Sequence, residues 1–82
     1  MSVALSENAT KLLRQVVALR RKYSDGYVPD RILWEAAKIG PVAYDGAAEE
    51  LIAKRLAETQ SQTSDPATLK ATPKGMQLAR GV

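Results

Sequence analysis

From Asn8 to about Tyr23 the apolar residues Leu12, Leu13, Val16, Val17, Leu19 and Tyr23 recur at intervals of three and four. That spacing gathers side chains on one face of an α-helix. Ser6 suits the N-cap, and Glu7 sets a negative charge at the positive end of the helix dipole. Ser24-Asp25-Gly26 closes the helix, because glycine reaches the left-handed conformation that commonly ends one. Tyr27-Val28 is a short extended link. Pro29 and Asp30 then suit the first turn of a second, short helix with Ile32, Leu33, Ala36, Ala37 and Ile39 on its apolar face and Gly40-Pro41 as its stop.

A third helix is predicted over 45–57, capped by Asp45, with Ala47, Ala48, Leu51, Ile52 and Leu56 inward. After Glu58 the pattern changes. Residues 59–66 are polar and end in the turn signal Ser64-Asp65-Pro66, and Ala67, Leu69 and Ala71 then alternate with Thr68, Lys70 and Thr72. Alternation with a period of two marks a half-buried strand, so a hairpin pairing 59–62 with 67–71 is expected. Thr72 then caps a last helix with Pro73 at its first position and Met76, Leu78 and Ala79 along it.

Composition narrows what such a fold can do. The 82 residues suit a single domain over 1–82, with 1–6 as a loose N-terminus, and a core that must be small. There is no Phe, and 13 of the apolar residues are Ala, so the nine Leu and a few large side chains hold the interior. The chain has no Cys and no His, which removes disulfides, thiolate nucleophiles, Cys/His zinc sites and a histidine base. The carboxylates are scattered over polar faces, and no Gly-rich phosphate loop is present. The reading is therefore no enzyme, no cofactor and no metal. No apolar run is long enough for a signal peptide or a membrane span, so a soluble, cytoplasmic protein is expected.

The formal charge is +3, and its distribution is uneven: residues 1–28 carry +3, residues 29–59 carry −2 and residues 60–82 carry +2. Basic ends permit nucleic acid as a partner without demanding it.

The order of three helices, a polar turn, an alternating strand and then Leu69-Lys70-Ala71-Thr72-Pro73-Lys74-Gly75-Met76 resembles the winged helix-turn-helix superfamily, in its small bacterial and phage form. Many of those members close the wing with a Leu-Thr-Pro-Lys-Gly-like run that leads into a last helix. Thr72-Pro73-Lys74-Gly75 matches it, whereas Ala71 replaces the bulky apolar residue usual before the Thr. The order of elements agrees over about 8–80, but the motif itself is four residues long. Capping explains Thr72 and Pro73 by itself, and Gly75 permits a close backbone approach.

The resemblance implies a mainly α fold with a small β-hairpin: a three-helix core, a wing and a short C-terminal helix. It also implies DNA binding by a transcriptional or mobile-element regulator, acting as a homodimer, with the third helix in a major groove. Candidate DNA contacts are Arg20, Arg21 and Lys22 beside Tyr23 and Tyr27, Lys54 and Arg55 in the third helix, and Lys70 and Lys74 around the wing. Asp45, Glu49 and Glu50 oppose this role, since they stand on the half of the helix that reaches base edges. The basic triplet also suits a helix C-terminus with no partner at all. The alternative is an adaptor that binds a host or phage protein, with Trp34 and Tyr44 as interface candidates. In a chain without Phe, packing accounts for Trp34 better, as filler at the core edge, and Tyr44 also serves as a staple on the third helix.

Overall fold

The computed structural model describes residues 5–60 and 67–80. Helix α1 spans Glu7–Leu19 and tightens into a 3-10 turn at Arg20–Lys22. Strand β1 (Val28–Pro29), α2 (Asp30–Ala37), α3 (Gly40–Ala53), β2 (Ala57–Glu58), β3 (Thr68–Ala71) and α4 (Pro73–Arg80) follow. The chain is mainly helical, with a small antiparallel sheet of strand order β1-β3-β2.

The first helix forms as its spacing predicts. Ser6 Oγ accepts from the Ala9 N–H at 3.2 Å, and Ala9, Leu12, Leu13 and Val16 are buried. The start of α1 is also fastened from outside, because the Ser6 N–H donates to Glu50 Oε2 at 2.8 Å and Leu5 packs on the core. Leu5 and Ser6 therefore belong to the fold and not to a loose N-terminus. Gly26 takes the left-handed conformation at φ +79.

The second and third helices differ from expectation in both boundary and face. Lys38 ends α2 in the left-handed conformation at φ 59, with its N–H on the Glu35 carbonyl and the Ile39 N–H on the Trp34 carbonyl. This pair of bonds is a Schellman motif, in which glycine usually takes the left-handed place. Gly40-Pro41 is thus not the stop of α2 but the start of α3, where Pro41 lies in the first turn and loses no hydrogen bond. Asp45 is an exposed residue inside that helix and not its cap. The buried stripe of α3 is Tyr44, Ala47, Ala48 and Leu51. On α2 the buried residues are Leu33 and Ala37, while Ile32 and Ala36 face outward and half-buried Trp34 packs against the core. Trp34 meets Tyr44 edge to face, with centroids 5.6 Å apart. A large ring buries more apolar area than Ile or Ala, which accounts for the rotation of α2 toward it.

The α3 helix ends earlier than predicted, at Ala53. The Arg55 N–H bonds the Ile52 carbonyl at 3.0 Å and the Leu56 N–H bonds the Leu51 carbonyl at 2.8 Å. This is a second Schellman motif, with Arg55 at φ 60 in the glycine place and Leu51 and Leu56 both buried beside it. Ala57 and Glu58 are then extended and form β2, paired Ala57↔Ala71 and Glu58↔Lys70. The hairpin therefore exists, but its first strand precedes the predicted 59–62. The turn at Ser64-Asp65-Pro66 and the expected strand residues Ser61 and Gln62 lie outside the described residues. The link after Gly26 contributes β1, paired Val28↔Leu69 on the other edge of β3. Leu69 and Ala71 point into the core, as their alternation predicts. The core is assembled around α1, which packs against α2, α3, α4 and β3.

Candidate nucleic-acid interface

The residue that organises the basic candidates is itself uncharged. Thr72 Oγ1 accepts from the Gly75 N–H at 3.0 Å, the predicted helix cap, and donates to the Arg55 carbonyl at 2.7 Å. The Thr72 N–H also donates to the Leu56 carbonyl, at 3.1 Å. The exit of α3 and the entry of α4 are thereby one junction, which carries Lys54, Arg55 and Lys74. Gly75 packs directly on the Leu56 backbone, and a Cβ there would overlap the Leu56 carbonyl oxygen. Beside the junction lies an open groove of about 230 Å³ lined by Leu56, Lys74, Gln77 and Leu78.

Arg55 and Lys74 are exposed, and neither side chain has a hydrogen-bond or ion-pair partner among the described residues. Lys54 is half-buried with its Nζ 4.0 Å from Glu50 Oε2. Lys54 and Arg55 lie just past α3, not within it as expected, because the Schellman turn stops the helix at Ala53.

The remaining cations are held elsewhere. Lys70 stands on the central strand with its Nζ 5.5 Å from the centre of the Tyr27 ring, and its stem covers Gly26. Its cross-strand neighbour is Glu58, and opposite charges at such paired positions attract. The Arg20 guanidinium donates to Met76 Sδ, joining the end of α1 to α4. Arg21 and Lys22 are exposed in the 3-10 turn. The seven candidates thus occupy three places: the α3–α4 junction, the outer face of the sheet and the end of α1.

The helix assigned to the major groove has the opposite character. Its sequence contains Asp45, Glu49 and Glu50 and not one basic residue. Pro41, Val42, Asp45, Gly46, Glu49 and Ala53 are its exposed residues. With α3 at −3, the rest of the chain sums to +6 (12 basic against 6 acidic). No three Asp or Glu converge as a metal site among the described residues.

Of the two interface aromatics, Tyr44 is 0% exposed and cannot present a surface. Burial, and then the nearby Asp30 and Asp45 charges, push its phenol well above the ordinary tyrosine range. Trp34 remains half-exposed beside it.

Sequence reasoning missed the two left-handed cations among the described residues, Lys38 and Arg55. The signal for the second was the apolar pair Leu51 and Leu56, which brackets a Schellman turn whichever residue occupies its left-handed place. No helix among the described residues is long and apolar enough to cross a membrane. Comparison with known protein families, curated proteins and solved structures returned no match.

Proposed function

We propose that the chain is a small winged helix-turn-helix protein that binds DNA through the phosphate backbone, without inserting α3 into a groove to read bases. The order helix, strand, two helices, a hairpin and a closing helix supports the fold, as does the Thr72 cap at the wing-to-helix step. The observation that carries the binding mode is the charge division, −3 on α3 and +6 on everything else. Phosphates repel the exposed Asp45 and Glu49 and attract the basic surface. Contacts to phosphate confer affinity and position but no sequence preference. A homodimer would double the contact area of so small a module.

A salt-titrated binding assay on duplexes of unrelated sequence tests this. Affinity should fall steeply and linearly on a log–log plot as salt rises, and differ little between sequences. Absence of binding near 50 mM salt, or strong preference for one sequence, would end the proposal.

A second reading, an adaptor for another protein, is favoured by Val42, which is 88% exposed on the outer stripe of α3 with Asp45 and Glu49. Capture from lysate with and without nuclease separates the two. Partners that survive nuclease support the adaptor, and partners that vanish support DNA.

A further inference from the structure

We infer that Arg55 is a backbone-phosphate contact, an arginine kept for its side chain at a left-handed place that the turn itself would give to glycine. This rests on the DNA-binding reading and names the site that carries it. Left-handed φ is unfavourable for any residue with a Cβ, and glycine ordinarily fills this place in a Schellman turn. Nothing among the described residues asks for arginine here. Its N–H bonds to Ile52 and its carbonyl accepts from Thr72, and glycine would keep both. The guanidinium is exposed and has no partner among the described residues. A side chain that makes no internal contact at a strained backbone position, where glycine would serve the turn equally well, points outward to something it meets in a complex.

The junction gives that side chain a fixed base and a neighbour. Thr72 is the positioning residue, since one hydroxyl ties the Arg55 carbonyl to the first turn of α4, where Lys74 is also exposed. A planar guanidinium can grip two phosphate oxygens at once, and a lysine adds a mobile point charge beside it. Phosphodiester backbone is the chemistry that fits two exposed cations carried by one junction, with no acidic residue between 59 and 80 among those described.

The second left-handed cation supplies an internal control. Lys38 occupies the same place at the end of α2, at φ 59, and is likewise exposed. Lys38→Gly and Arg55→Gly each relieve the same backbone strain and each remove one charge. Both should raise the thermal midpoint, by about 4–8 °C. Only Arg55→Gly should weaken binding to a mixed-sequence duplex, lowering the salt slope by about one, with Arg55→Lys recovering most of the slope.

The test is duplex titration of wild type and these variants of the full chain, alongside their melts. Equal binding by Arg55→Gly and wild type overturns the role of Arg55 and leaves the DNA reading standing. Equal loss in Lys38→Gly overturns it too, because general charge would then account for the effect. A wild type that binds no duplex overturns both. A thermal midpoint lowered by Arg55→Gly shows the arginine to be structural and overturns the inference by itself.

Discussion

Gly75 at the start of α4 lies flat against the Leu56 carbonyl at the exit of α3, so close that no side chain fits between them. Gly75→Ala forces the two backbones apart and should cost at least about 2 kcal/mol, the range of overpacked core substitutions. A thermal melt should fall by more than about 8 °C. Gly46 is the contrast: it sits inside α3 with nothing within 4 Å of where its Cβ would be. Gly46→Ala should stabilise by about 1 kcal/mol through helix propensity alone. Equal melting points for the two variants would contradict the close approach.

Thr72 serves two backbones with one hydroxyl, accepting from Gly75 and donating to Arg55. Thr72→Val keeps the shape and removes both bonds, so urea unfolding should show a loss of about 1–2 kcal/mol. Thr72→Ser keeps the hydroxyl and should lose less than half of that. If valine is tolerated as well as serine, the junction is held by packing and not by the hydroxyl.

The raised titration of Tyr44 makes stability depend on alkaline pH. Unfolded, the phenol releases its proton near its ordinary value of 10.0, whereas burial keeps it protonated in the fold to higher pH. Stability from the neutral phenol is therefore complete below about pH 10 and declines as pH rises further. Unfolding in urea at pH 8 and pH 11 should show this decline, and Tyr44→Phe should remove its tyrosine component. A decline of the same size in the Phe variant would place its origin elsewhere.

Lys74 and Lys70 should behave differently on DNA. Lys74→Ala removes an exposed charge with no partner among the described residues and should reduce the salt slope by about one. Lys70 has the Tyr27 ring 5.5 Å from its Nζ and Glu58 as its cross-strand neighbour, so an opposite charge on the next strand lowers its pull on phosphate. Lys70→Ala should change the slope less, and Glu58→Gln should strengthen binding by removing the neighbouring negative charge. Equal effects of the two alanine variants would show that Glu58 does not compensate Lys70.

Where local physics is decisive, the sequence determined the outcome. The spacing of Leu12, Leu13 and Val16 placed the inward face of α1, the Ser6 and Thr72 hydroxyls started their helices, and the alternation of Leu69 and Ala71 oriented β3. Each of these depends on neighbours within a few residues. Tertiary structure decided what happens where local rules compete. Gly40-Pro41 is as good a beginning as an ending, and packing of Tyr44 under Trp34 made it a beginning. A lysine and an arginine took left-handed places meant for glycine because burial of Leu56 against Leu51, and the return of the chain from Lys38 into α3, outweigh the strain. Val28 became a strand only because β3 passes beside it. No pattern within one segment reveals that Thr72 meets Arg55, since their 17-residue separation is closed by the fold as a whole. The charge division was already written in the sequence, but the tertiary structure showed which acids face outward, by turning Tyr44 inward and leaving Asp45 and Glu49 at the surface.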